Sequence, residues 1–417
     1  MPEEVITQSS VTFADPTVQR CPFDAYAQLR ETGPVYKDPK TGYYVVLGYD
    51  LLREVLMDTD RFSSNVGIIQ VRPGELGRKM QAIQKEFGVP AVPVLLTTDP
   101  PEHTFYRSLV GQAFSPNRVK KLEEFLTKTV SEHIDSVTVR SPIEFVSEIC
   151  VMIPVFVLLE LLGVDRSYAQ QIKTWSDTAA ATGDPTLPEE RILELTRIAC
   201  DYQRFIAEQT DRYRSEPNDS LLSAITNADV NGRQLTRNEL VALSRQIMTA
   251  GHETTTNTMA SGMLWLIERP ELQDQLRADP SLMTTFIEEL LRLESPLQAQ
   301  FRKTMDDVVL GGVPIPKGAV LDVRFGAGNC DPEQFPNPRE LDLKRGNLRT
   351  HLAFGAGPHF CIGNQLARAE LRIAFTHLLS RLKNFRFADV EEPVKRVQHY
   401  FIHGVKELHL AYDLIDQ

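Results

Sequence analysis

Residues 354–370 read FGAGPHFCIGNQLARAE: two spaced glycines, a cysteine, a third glycine, then an apolar periodicity that runs to about residue 380. Gly355 and Gly357 permit a tight backbone path, and Gly363 opens the helix that the periodicity predicts. Cys361 therefore sits where the amides of a helix N-terminus point. That field favours a thiolate, either as a nucleophile or as a metal ligand. The small residue two positions later lets a flat cofactor approach the backbone.

The other cysteines, Cys21, Cys150, Cys200 and Cys330, are widely scattered, without a C-x-x-C pair and with an odd total of five. They suggest neither a disulfide framework nor a structural zinc site and read as small hydrophobes. Upstream, residues 119–294 carry apolar positions at three- and four-residue spacing, which predicts a succession of helices that includes IEFVSEICVMIPVFVLLELLG and TRNELVALSRQIMTAGHETTTNTMASGMLWLIERP. The apolar run at 150–162 is short and carries Glu160, so it reads as a core helix. Strand-like pieces lie at GPVYKD, GYYVVLG, DDVVLGGVPIPKGAVLDVRF and VQHYFIHGVKELHLAYDL. Residues 66–101 form the longest irregular stretch and are expected to cover a binding site. With no internal repeat or linker, the expectation is one mainly α domain with small β-sheets, preceded by a short tail at about 1–18.

The 417 residues are 42% hydrophobic and 24% charged, the balance of an ordinary globular chain. A net charge of −11 without a dense basic tract argues against a nucleic-acid binder. The opening MPEEVITQSSVTFADP has no charged-then-apolar signal pattern and no spanning run follows, so the chain reads as cytoplasmic and without a membrane anchor.

Residues 250–256, AGHETTT, begin like the zinc-hydrolase pattern H-E-x-x-H, but Thr256 stands where the second histidine belongs. Ala250 and Thr254 are four apart on one helix face, and Gly251 leaves room beside them. A threonine hydroxyl that bonds a carbonyl one turn back can open the helix locally. In EELLRLESP, Glu289 and Arg292 are three apart and share a face.

Together these segments resemble the cytochrome P450 family. Phe354, Gly357, Cys361 and Gly363 occupy the fixed positions of its F-x-x-G-x-x-x-C-x-G loop, and His359 fits the extended form. AGHETTT resembles the family's oxygen-binding helix through Ala250, Gly251, Glu253, Thr254 and Thr255, with His252 at its variable position. EELLRLESP is similar to its structural E-x-x-R, with Arg345 of LDLKR as the closing arginine. The matches occur in the family's order over roughly residues 20–410.

The resemblance implies a triangular, helix-rich prism that encloses haem b, with Cys361 as the iron ligand. It implies cofactor contacts from Ala250, Gly251, Phe354, Gly355, His359 and Gly363, and propionate partners in His103, Arg107, Arg302 and His359. Thr254 would hydrogen-bond oxygen and Glu253 would feed it protons, in a monooxygenase that inserts one atom of O2 into a small hydrophobic substrate. A peroxide-driven peroxygenase is the alternative enzyme, and a haem carrier or gas sensor the alternative non-enzyme.

No dinucleotide fingerprint is evident, so electrons from NAD(P)H are expected through a separate ferredoxin and ferredoxin reductase. Arg368 and Arg372, with Lys344 and Lys120, would form a positive docking patch. Family topology puts substrate-lining residues in the 66–96 loop, around Trp175 to Thr182, at Ile247 and Met248, from Leu297 to Phe301, and at Phe401 and Ile402. Their apolar character suits a terpenoid, steroid, fatty acid or aromatic compound.

Overall fold

The computed structural model describes residues 10–66, 74–90, 92–111, 114, 116–182, 187–230 and 232–415. The chain divides into two units: one built from Met1–Phe62, Lys120–Ile153 and Thr254–Gln417, the other from Ser63–Val119 and Pro154–Glu253.

In the first unit, VYK, YVV and VLDVR are rich in β-branched and aromatic residues and form strands Val35–Lys37, Tyr44–Val46 and Val320–Arg324. With Ala299–Thr304 they lie side by side in that order. The pairing of Tyr44–Val46 with Val320–Arg324 is parallel and the other two pairings are antiparallel. Val46, Leu52, Leu321, Val323 and Phe335, all fully buried, anchor the core over this sheet. The hairpin from Val308–Leu310 to Val313–Ile315 turns on Gly311 and Gly312, at φ +57° and +82°, the left-handed pair that a two-residue hairpin turn requires. A second sheet joins Leu382–Phe387, Val405–Leu414 and Val394–Arg396, with Ile143–Glu144 paired to the long strand.

The same unit contains helix Leu282–Glu294, in which every residue from Phe286 to Glu294 is buried, four of them charged. Burying charge is tolerated only with partners. Each has them: Glu289 with Arg292 and Arg345, Glu288 with His351 and Arg368, and Glu294 with Trp265 and His403.

The second unit is helical. Glu189–Ser215 is its spine, packed by Gly74–Phe87, Ala169–Thr182 and Leu221–Asn227. Trp175 packs on Tyr202 and Phe205, with ring centroids 5.5 and 5.0 Å apart. Gln203 accepts the amide of Val89 at 2.8 Å and so fixes the chain after Gly74–Phe87.

Two expectations are corrected. Residues 66–101 are not mainly loop, because Gly74–Phe87 is a helix of fourteen residues; Gly74 and Gly77 read as breakers, yet Ile83 buries against the unit. Residues 67–73 and 91 lie outside the described residues. IEFVSEICVMIPVFVLLELLG is not one helix, since Ile143–Glu144 is a strand and Val146–Cys150 a π turn before Met152–Leu162. Glu144 accepts the amides of Val146 and Ser147, which competes with helical pairing there. Among the described residues no helix is long and apolar enough to cross a membrane.

Candidate functional site

The cysteine loop belongs to the first unit. Gly355 and Gly357 both lie at φ +70°, and a Cβ on Gly357 would sit 2.4 Å from the Leu56 carbonyl oxygen, so only glycine fits there. The Gly355 amide donates to Leu352 at 2.8 Å, Phe360 to Gly357 at 3.0 Å and Cys361 to Phe354 at 2.9 Å. The Asn364 side chain closes the turn on the Cys361 carbonyl at 2.8 Å. Helix Asn364–Arg381 then starts with Gly363 as its cap, three residues from the thiol.

Cys361 is the one cysteine that is partly exposed, whereas Cys150, Cys200 and Cys330 are buried and Cys21 lies outside on the surface. Burial pushes the thiols of those three up, which holds them neutral. Around Cys361 the apolar side chains of Phe354, Ala356 and Ile362 keep open surface. At Gly363 the nearest atom to a Cβ would be the Cys361 sulfur at 4.0 Å, so no side chain from that position covers the thiol. A soft donor in an apolar, partly open cradle beside a helix N-terminus fits a flat, thiolate-bound macrocycle.

A buried charge network supports the loop. Glu289 and Arg292 are fully buried; the Arg292 Nε and Nη2 donate to Glu289 at 2.6 and 3.0 Å. Arg345 donates to the same carboxylate at 3.0 Å, as does the Asp342 amide at 2.8 Å. Arg292 also reaches the carbonyls of Asn329, Pro338 and Glu340, tying the helix to the segment before the cysteine loop.

Glu288, one residue earlier, takes Arg368 at 2.5 and 3.0 Å and His351 at 3.1 Å. Burial raises its carboxyl, but the His351 and Arg368 hydrogen bonds outweigh that and hold it at about 2. Arg368 stacks over Phe354 at 4.4 Å. Its charge is thus spent within the fold, which removes it from the expected docking patch. Arg372 pairs with Glu123 at 3.2 Å at the surface, and Lys344 and Lys120 are exposed.

Helix Arg237–Glu268 carries AGHETTT without interruption. Residues 255–264 are all buried, whereas Ala250, Gly251, Glu253 and Thr254 keep exposed surface. His252 is buried. Asp177, which no sequence motif marks, brings its carboxylate within 4.8 Å of donor atoms of His252 and Glu253. The signal that could have found it is weak, since Lys173 four residues earlier also pairs with it, at 2.5 Å.

His103 and Arg107 lie one turn apart on helix Glu102–Gly111, the first buried and the second partly so. Arg302 is buried on strand Ala299–Thr304 and donates to the Phe301 carbonyl at 2.8 Å, while His359 is half-buried in the cysteine loop. Of the expected lining residues, four are brought together: Leu297 bridges Ile402, and the Phe301 and Phe401 rings lie 6.2 Å apart. Ile247 keeps open surface, but Met248 has none. Trp175 is core, and Thr182 lines a cavity.

These features meet in one family. The cytochrome P450 family model matches residues 192–402, and the chain belongs to the cytochrome P450 family. It is a cytochrome P450 monooxygenase, and membership brings haem, O2 and electrons from a redox partner. The chain is 33% identical to cytochrome P450 107B1 of Saccharopolyspora erythraea, over 92% of this chain and 93% of that protein. It is also 33% identical to the vitamin D(3) 25-hydroxylase of Pseudonocardia autotrophica, over 86% of each. Its fold is similar to the structure of CYP109Q5 from Chondromyces apiculatus, with a TM-score of 0.84 and 30% identity over 98% of this chain and 99% of that one.

Proposed function

We propose that this chain hydroxylates an apolar organic molecule, with Cys361 as the thiolate ligand of haem. The observation that carries the reading is the partly exposed Cys361, held on a glycine-locked loop at the start of a helix, while the three interior cysteines are kept neutral by burial. When bound, the thiolate-ligated haem supplies the activation of O2 for transfer of one oxygen atom.

The protein's own part is to bind, orient and deliver protons. His103, Arg107, Arg302 and His359 are the cationic or hydrogen-bonding groups assigned to the two propionates. Phe354, stacked under Arg368, would keep the thiolate side apolar. Thr254 would donate its hydroxyl to dioxygen, and Glu253, with Asp177 and His252 beside it, would pass protons inward. Leu297, Phe301, Phe401 and Ile402 would contact the substrate. The electrons would come from NAD(P)H through a ferredoxin reductase and a ferredoxin. The name of the vitamin D(3) 25-hydroxylase relative supports hydroxylation as the reaction.

The test is turnover under isotopically labelled dioxygen with a ferredoxin system. Product carrying one labelled oxygen atom is expected. Label incorporated from water, or turnover supported by peroxide alone, would contradict the monooxygenase reading.

A further inference from the structure

Asp177 on helix Ala169–Thr182 faces His252 and Glu253 on helix Arg237–Glu268, and all three belong to the second unit. One donor atom from each, an imidazole nitrogen and two carboxylate oxygens, lies within 4.8 Å of the other two. Among the described residues this is the one group of three such side chains that converges so closely. His252 is 1% exposed, Glu253 is partly exposed, and the Asp177 side chain is nearly half exposed, at 45%. The cluster thus runs from solvent to a buried imidazole aimed at two carboxylates.

That donor set has a definite preference. Magnesium and calcium take oxygen ligands, whereas zinc and its transition-metal neighbours take imidazole nitrogen together with carboxylate oxygen. Zinc bonds of about 2.0–2.2 Å in a tetrahedral shell set neighbouring donors roughly 3.4 Å apart, so no pair here has to close by more than about 1.4 Å. Small side-chain rotations supply that, and water completes the shell. Lys173 donates to Asp177 at 2.5 Å, but a carboxylate has two oxygens and accepts a second partner. The exposed Asp177 also gives the ion a way in from solvent.

We propose that Asp177, His252 and Glu253 bind a divalent transition-metal cation of the zinc type, and that the bound ion inhibits turnover. Coordination holds the Glu253 carboxylate deprotonated and occupied, so it cannot carry a proton while the ion is there. The inhibition rests on the reading of Glu253 as a proton donor; the binding does not.

The experiment titrates Zn2+, and Mg2+ for comparison, into the haem-loaded protein by calorimetry. Zn2+ should bind at least a hundred-fold tighter than Mg2+. Asp177→Asn and His252→Gln should each weaken Zn2+ by more than the roughly ten-fold that changes outside the ligand set cost. Lys173→Ala, which removes a competing ammonium, should tighten it several-fold. His252 is buried, so thermal unfolding checks that its variant is folded, and the exposed Asp177 supplies the second variant. In turnover with a ferredoxin system, saturating Zn2+ should slow product formation by about a hundred-fold, the worth of a positioned proton donor, and a chelator should restore it. Asp177→Asn at the same Zn2+ concentration should keep its own metal-free rate, which separates this site from any effect on the ferredoxin system. Zn2+ bound no tighter than Mg2+, or as tightly in both Asp177→Asn and His252→Gln, overturns the site and leaves the Glu253 reading standing. Zn2+ held by these residues with turnover unslowed overturns the inhibition, and the Glu253 reading with it.

Discussion

Glu289 receives Arg292 through two nitrogens, at 2.6 and 3.0 Å, with neither side chain reaching solvent. The pair joins helix Leu282–Glu294 to the segment that leads into the cysteine loop, because the same guanidinium bonds the Asn329, Pro338 and Glu340 carbonyls. Removing one partner leaves a buried charge uncompensated. Arg292→Ala is expected to cost about 3–5 kcal/mol in denaturant unfolding and to impair haem retention. Arg345→Ala should cost less, about 1–3 kcal/mol, since Glu289 keeps Arg292. Equal and small losses would mean that the network does not hold the loop.

Two buried carboxyls make opposite pH statements. Glu288 is held at about 2, below its ordinary 4.5, so its contribution is fully present above the ordinary value and is lost as pH falls toward 2. That is on the order of 3 kcal/mol. Glu288→Gln should remove this acid limb from the stability profile, measured by urea unfolding between about pH 5 and pH 3.

Glu370 is buried, its Oε2 has no partner, and burial alone raises its carboxyl to about 8. The fold therefore favours its protonated form, and stability falls as pH rises from its ordinary 4.5 through about 8. Glu370→Gln should be more stable than wild type at about pH 8, by about 1–3 kcal/mol, and little different at about pH 5. A variant destabilised at both would show that this carboxyl is bonded in its charged form.

Thr254→Ala should uncouple turnover, so that NAD(P)H is still consumed but peroxide rises as product falls. Glu253→Gln should instead slow the whole cycle, by about a hundred-fold or more, the usual worth of a positioned proton donor. Wild-type rates and coupling in both variants would remove the proposed relay.

The two arginines after Cys361 should separate by function. Arg368, paired with Glu288 and stacked on Phe354, belongs to the loop, so Arg368→Ala should lower stability and haem retention. Arg372 is nearly half exposed, at 45%, so Arg372→Glu should raise the KM for ferredoxin several-fold and reduce its salt dependence, with substrate affinity unchanged. Rates indifferent to salt and to this reversal would place docking elsewhere.

Much of this was legible in the sequence because the chemistry needs fixed local spacings. Gly357, Cys361 and Gly363 define one loop, Glu289 and Arg292 one helix face, and Arg345 proved to be the third member of that network. The long apolar periodicity of 237–268 gave the helix that carries Glu253 and Thr254. What stayed hidden depends on contacts distant in sequence. Asp177 reaches His252 and Glu253 from a separate helix, and Arg368 looks like surface charge until Glu288, eighty positions earlier, is beside it. The Gly74–Phe87 helix was obscured by its glycines, whose cost is offset by packing on Glu189–Ser215.

The most direct test of the central claim is the spectrum of the reduced carbon-monoxide complex, taken for wild type and for Cys361→His. Wild type should show the strongly red-shifted Soret band of a thiolate-ligated haem, and Cys361→His should lose that band while retaining bound haem. A wild-type spectrum without the shift, or an unchanged one in Cys361→His, would contradict the assignment of Cys361 as the iron ligand.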